Sequence, residues 1–285
     1  MKNKPSNDPS VEFLYNTLLG RGILKIIMKC HLDRIAIRFL RSPLSKFVIK
    51  GYAKKNGIPL TEAQRKSFNS YRDFFVRGKD GIQIDITPGH LISPCDGWLS
   101  AFPIHEDSTF HLKNSHYRVS DLLKDKELAK TYQGGCALIF RLCASDYHHY
   151  CYIDHGYQGE LHHIPGVLHS VQPIVCEKIP VFVLNRRCWT LLTTEHFGPV
   201  VQTEIGALVV GGIVNDRENV RFCKGNEKGH FELAGSTIVL LFRKNQIQLI
   251  PSIAEELLKE DEVRVHYGEY IGDAVNEHQS EQIDL

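Results

Sequence analysis

The chain is 285 residues long, 42% hydrophobic and 24% charged, with a formal net charge of +1, so it can bury a substantial core as one large domain or two small ones. No internal repeat or low-complexity tract runs through it. Its eight cysteines, at positions 30, 95, 136, 143, 151, 176, 188 and 223, form no C-x-x-C pair and follow no signal peptide; free thiols in a reducing cytoplasm are expected rather than a disulfide framework.

The small net charge is unevenly spread: 12 of the 34 Lys and Arg lie in residues 1–60, against 3 of the 33 Asp and Glu. In this segment Leu18, Leu19, Ile23, Ile26 and Phe39 are interleaved with Arg21, Lys25, Lys29, Arg34, Arg38 and Arg41. Charge interrupts each apolar run well short of the ~20 residues that a spanning helix needs. Two readings stay open. The helices pack on the body with their basic residues solvated, or an apolar face dips into the headgroup region while each basic residue gains roughly 1 kcal/mol from anionic lipid. Nucleic acid is not an expected partner, because no recognition module accompanies the charge.

Along the chain, residues 11–56 read as two or three helices that stop at Asn56-Gly57, ahead of Pro59. Another helix starts near Thr61-Glu62. After Pro88-Gly89 the pattern changes to short apolar runs bounded by Gly, Pro, Asn and Asp. These predict strands at Leu91–Ile92, Trp98–Phe102, Ala137–Leu142, Tyr150–Ile153, Val181–Leu184, Val200–Val210 and Thr237–Phe242. Residues 118–132 are the expected helix within this region. The polar tail 276–285 is expected to fray. The domain reading is therefore 1–60, a basic amphipathic helical segment; 61–275, the main domain; and 276–285, the tail.

The most informative stretch is Lys224-Gly225-Asn226-Glu227-Lys228-Gly229-His230-Phe231-Glu232-Leu233-Ala234-Gly235-Ser236-Thr237, leading into a strand. Alone, Gly-Ser-Thr at a strand mouth reads as a turn. Four other regions stand in order before it: Tyr71-Arg72-Asp73-Phe74-Phe75-Val76-Arg77; Ser93-Pro94-Cys95-Asp96-Gly97; Ser145-Asp146-Tyr147-His148-His149-Tyr150; and Asn185-Arg186-Arg187 through Phe197-Gly198 to Ile205-Gly206-Ala207-Leu208-Val209-Val210-Gly211. In composition and order this set resembles the phosphatidylserine decarboxylase family, with its F-F-x-R, P-x-D-G, D-Y-H, N-x-R, F-G, V-G-A-x-x-V-G and G-S-T blocks.

The resemblance implies a proenzyme that cuts itself. Ser236 attacks the carbonyl of Gly235, the peptide becomes an ester, and loss of the serine Cα proton eliminates it. The dehydroalanine then hydrolyses to a pyruvoyl group with release of ammonia. Chains 1–235 and 236–285 result. Serine offers both a nucleophilic oxygen and a β-leaving position, and glycine an unobstructed carbonyl able to adopt strained dihedrals. A hydroxyl needs a base to activate it. The resemblance points to Asp96 as the supporting carboxylate and to a histidine of the D-Y-H block as the base.

Many members of the family read D-Y-H-R-x-H there. This chain has His149 at the arginine position and Cys151 at the second histidine. Three explanations are open: His148 is the base, His149 has taken over, or self-cleavage is impaired. Strand alternation, which would send His149 to the face opposite His148 and Tyr150, favours His148. A metal site is not expected, since the cluster His148, His149, Cys151, His155, His162, His163 and His169 lacks H-E-x-x-H or C-x-x-C spacing.

The resemblance further implies an α+β fold: a β-rich domain with a lipoyl/biotinyl-carrier-like sandwich, preceded by N-terminal amphipathic helices and found as a homodimer. The activity implied is decarboxylation of phosphatidylserine to phosphatidylethanolamine and CO₂. The covalent pyruvoyl group from Ser236 is the cofactor, and the enzyme sits peripherally on the cytoplasmic face of an anionic membrane. Two rivals are a lipid-binding homologue that does not process itself and a pyruvoyl decarboxylase of a soluble amino acid.

Overall fold

The computed structural model describes residues 8–30, 32–78, 81–112, 115–207, 212–233 and 235–275. Its N-terminal segment forms four short helices, Pro9–Asn16, Leu18–Lys29, Leu32–Leu40 and Lys46–Lys55, where two or three were expected. Thr17 ends the first helix and caps the second, accepting from the Gly20 amide at 2.9 Å. A Cβ on Gly20 would meet the Phe13 carbonyl at 2.1 Å, so glycine permits this tight corner. The helix Glu62–Ser67 starts at a capping box between Thr61 and Gln64, next to the expected Thr61-Glu62 boundary.

The body is organised by a nine-stranded antiparallel sheet. Its order is Val220–Phe222, Gly156–Gln158, Arg187–Thr194, Pro199–Ile205, Ser236–Phe242, Cys136–Leu142, Gly97–Pro103 and Val263–Val265, with His162–Ile164 also pairing with Arg187–Thr194. Every residue of Ser236–Phe242 is buried. Side chains alternate across a strand, and here both faces are covered: Ile238, Leu240 and Phe242 enter one core, Val239 and Leu241 another. The strand therefore reads in sequence as a continuous apolar run.

The first core lies between this sheet and two three-stranded sheets, His90–Ile92/Tyr270–Ala274/Ile247–Leu249 and Ile213–Asn215/Glu227–Phe231/His149–Cys151. The second is covered by short helices, including Val119–Leu123 and Pro173–Cys176, and by the hairpin Thr109–Leu112/Ser115–Arg118. A third, smaller core joins Lys46–Lys55 and Tyr71–Phe75 to Leu233. The fold is thus α+β with antiparallel sheets.

Two expected elements are corrected. Val181–Leu184 is one turn of helix, not a strand, with Val181 and Phe182 buried in the second core. A four-residue apolar run has no period to decide the matter, and Pro180 at its start suits a helical turn. Residues 118–132 hold two helices, Val119–Leu123 and Lys126–Lys130, parted where Lys124 turns left-handed at φ 57°. The strand expected over 200–210 runs Pro199–Ile205. Residues 208–211 and the tail 276–285 lie outside the described residues. All eight cysteines are free thiols.

Candidate active site

Strand register brings the distant sequence blocks to one end of the large sheet. Ser236 stands opposite Leu142, the last residue of its strand, and Arg141 stands opposite Trp98, next to the start of the Gly97–Pro103 strand. Val265, also a last residue, stands opposite Gly97. Ile205 stands between Thr237 and Arg187. Asp96, the turn 143–148, Asn185, Gly206, His266 and the Gly235–Ser236 bond consequently gather at this one edge.

Ser236 is fully buried, and neither its Oγ nor the Oγ1 of Thr237 has a hydrogen-bond partner. Leaving such a hydroxyl unpaired is costly, and Ser236 is held in place by its strand rather than by its own side-chain bonds. A Cβ on Gly235 would lie 3.4 Å from the Leu142 carbonyl and 3.6 Å from the Val171 side chain, ordinary contact distances, so space alone does not require glycine there.

The approach to this bond is anchored. Phe231 donates its amide to the His148 carbonyl at 2.9 Å, and Glu232 donates to Gly212 at 2.9 Å. The Glu232 carboxylate receives Arg41 from the N-terminal segment and Arg72 Nε at 2.8 Å from the F-F-x-R block. Burial works to raise the Glu232 carboxyl, but these two guanidinium groups outweigh it and hold it below the usual range.

His148 is buried, with its ring 4.1 Å from that of Phe75 between centroids. Burial pushes it down to about 4, so it is neutral. Its Nδ1 lies 2.8 Å from the Asp146 carbonyl, which can only accept; Nδ1 therefore carries the proton and Nε2 the lone pair. That Nε2 has no hydrogen-bond partner. Since Ser236 Oγ also has none, the two are not hydrogen-bonded to each other. The turn bearing His148 is fixed by Arg264, which grips both Asp146 oxygens at 3.0 and 2.8 Å.

Asp96 accepts from the Tyr267 amide at 2.9 Å and faces His266 Nδ1 at 3.7 Å. Sequence reading missed His266 because it belongs to none of the blocks; only the pairing of Val265 with Gly97 brings it here. Cys151 is buried, its thiol 3.8 Å from the Ser93 carbonyl and pushed up to about 12 by burial. As a neutral thiol it is no proton acceptor at neutral pH. His149 lies on the face opposite Tyr150, as alternation predicts: its Nδ1 is 2.7 Å from Glu227 and its Nε2 3.0 Å from the Val76 carbonyl, while Tyr150 donates to the Val214 carbonyl.

The N-x-R block is scaffolding. Asn185 binds His169 and Gly206 through its amide, and the fully buried Arg187 donates to the carbonyls of Leu122, Val183, Asn185 and Asp121. His162 and His163 are exposed on the strand His162–Ile164.

Fold and site define an α+β chain in which an unpaired serine hydroxyl at a strand mouth shares one sheet end with a carboxylate and several imidazoles. The family model for phosphatidylserine decarboxylase matches residues 71–273. The chain is 39% identical over 275 residues to phosphatidylserine decarboxylase proenzyme 2 of Clostridium acetobutylicum, covering 95% of this chain and 94% of that protein. It is 36% identical over 271 residues to the phosphatidylserine decarboxylase proenzyme of Ruminiclostridium cellulolyticum, covering 92% and 90%. A third relative, from Clostridium perfringens, is 34% identical over 270 residues, covering 92% of each. The chain belongs to the phosphatidylserine decarboxylase family.

Proposed function

We propose that this chain is a self-processing phosphatidylserine decarboxylase whose Ser236 becomes a pyruvoyl group after cleavage of the Gly235–Ser236 bond. The observation that carries this reading is the buried, unpartnered Ser236 hydroxyl at the sheet end where Asp96 and the D-Y-H turn converge. The residues fit the group: its parent serine is out of solvent and begins the central strand. When formed, the pyruvoyl supplies an electron sink for the pair left behind by the departing carboxylate.

The chain's own residues do the rest. His148 Nε2, holding a lone pair and no partner, takes the Ser236 hydroxyl proton once the two close to hydrogen-bond distance. Arg264 and Asp146 hold that imidazole in place, and Arg41 and Arg72 tether the segment before the bond through Glu232. A second reading assigns the base to His266, favoured by its 3.7 Å approach to Asp96. Cys151 serves neither reading.

Residues 1–60 form the membrane-associating part in this proposal and 61–275 the catalytic domain. Supporting it, Leu18, Leu19, Leu44 and Phe47 are 83%, 68%, 74% and 77% exposed among basic residues. Among the described residues no helix is long and apolar enough to cross a membrane. Peripheral attachment at a cytoplasmic anionic surface is part of the same proposal, supported by the exposed apolar residues among basic ones. The two small sheets over one face of the large one support a lipoyl-carrier-like sandwich. A homodimer belongs to the same reading through the resemblance.

Mass spectrometry of the purified protein tests the core of this proposal. The wild type should give two chains and a borohydride-reducible carbonyl, and Ser236→Ala a single 32.5 kDa chain. An uncut wild type would sink the enzyme reading in favour of a lipid-binding homologue. His148→Ala should stop processing while Cys151→Ala and His266→Ala do not; arrest only in His266→Ala would move the base to that residue. CO₂ release from phosphatidylserine vesicles, with none from free serine, settles the substrate class.

A further inference from the structure

Three side chains on two paired strands converge without a part in the chemistry above. Where His149–Cys151 pairs with Glu227–Phe231, His149 stands opposite His230 and Cys151 opposite Glu227, with a bulge between Glu227 and Gly229. In a regular strand, residues 227 and 230 would point to opposite faces. The extra residue, Lys228, absorbs that offset and turns away into a buried ion pair with Glu204. Glu227 and His230 thereby share a face with His149, and one ligand atom from each lies within 4.8 Å of the others.

Hydrogen bonding among these groups is unbalanced. His149 directs Nδ1 at the Glu227 carboxylate and Nε2 at the Val76 carbonyl. Both are acceptors, whereas a neutral imidazole has one N–H. His230 has no hydrogen-bond partner on either ring nitrogen, and both nitrogens are out of solvent. A single cation answers all of this. It takes the His149 Nδ1 lone pair, leaves Nε2–H to donate to Val76 as metal-bound histidines do with a carbonyl, accepts a nitrogen of His230, and is neutralised in part by Glu227.

We propose that His149, Glu227 and His230 bind a divalent transition metal ion of the zinc class, with a fourth position opening to solvent beside Glu227. Two imidazoles and a carboxylate suit such ions, and tetrahedral bonds of about 2.0–2.2 Å would set the donor atoms roughly 3.3 Å apart. The 2.7 Å His149–Glu227 contact opens by about half an ångström, and the 3.9 Å His230–Glu227 contact closes by a similar amount. The ion joins the two strands ahead of residues 232–236 and uses no residue assigned above to Ser236 chemistry. Motif spacing did not announce it, because its ligands come from two strands and a bulge rather than one helix face.

The test is metal binding itself, independent of decarboxylation. EDTA-treated full-length protein is titrated with zinc chloride by calorimetry, and with cobalt(II) chloride by visible absorption. One ion per chain is expected, with the intense bands of four-coordinate cobalt. His230→Phe, which keeps a ring in place, and Glu227→Gln should each weaken zinc binding by more than about 100-fold. His162→Ala, on an exposed strand, should leave it unchanged. Absence of saturable one-to-one binding in the wild type overturns the proposal, as does wild-type affinity in both ligand variants. Glu227→Gln changes a half-exposed side chain, so the test stands even if His230→Phe fails to fold.

Discussion

The central strand Ser236–Phe242 and the N-terminal helices are both rich in large apolar residues and place them oppositely. On the strand every side chain is buried, because sheets cover one face and helices with a hairpin the other. A short helix resting on the body has only one covered stripe, and Leu18, Leu19 and Phe47 remain exposed. Charges divide the same way: Lys228 and Glu204 pair at 2.8 Å with no exposure, whereas Lys55 and Asp8 pair at 2.9 Å at the surface. The proposed reactive groups thus lie where desolvation magnifies each neighbour's effect, and the proposed attachment groups lie where charges stay hydrated.

The hardest strike at this contrast is Lys228→Met. It strands Glu204 in the interior, and a loss of about 3–5 kcal/mol in urea unfolding is expected. Adding Glu204→Gln should recover most of it; an undiminished Lys228→Met protein would show that the body tolerates an unpaired buried carboxylate.

Next in size are Leu18→Glu and Phe47→Glu. Burying such a side chain is worth about 1.5–3 kcal/mol, so each should lower affinity for phosphatidylserine vesicles roughly 10-fold or more. Stability should stay within about 0.5 kcal/mol of wild type. If stability falls and vesicle binding does not, these residues pack against protein and the segment is no membrane surface.

The smallest effect is acidic. Hydrogen bonds from Ser10, then Lys55, hold Asp8 down to about 2, below the roughly 3.9 of an unfolded aspartate. A depressed carboxyl stabilises the fold above the unfolded value and loses that contribution as pH falls through the folded one. Hydrogen-exchange protection of Pro9–Asn16, taken relative to the intrinsic rate at each pH, should therefore fall between about pH 4 and pH 2, by less than about 1 kcal/mol at this exposed site. Lys55→Ala should shrink the response, while the sheet amides should not share it.

Much of the strand framework was legible because alternating burial on a two-sided sheet leaves continuous apolar runs, as at Cys136–Leu142 and Ser236–Phe242. Val181–Leu184 was illegible for the same reason that made those runs clear: four apolar residues fit a buried strand or a buried helical turn equally well. Gly235, Ser236, Asp96 and His148 could be proposed from the sequence because nucleophile, acid and base chemistry demand particular side chains, and the motif order of the resemblance carries that demand. His266 carried no such mark, and neither did Glu227 with His230.

By itself, then, the sequence determined the family, the α+β class, the proposed nucleophile and the basic, apolar character of the first 60 residues. These depend on residue identity and local pattern. Tertiary structure decided which imidazole meets which carboxylate: Asp96 faces His266, His149 faces Glu227, and His148 keeps a free Nε2. It decided this through strand register and one bulge, since a shift of a single residue in either turns every side chain on that strand to the other face.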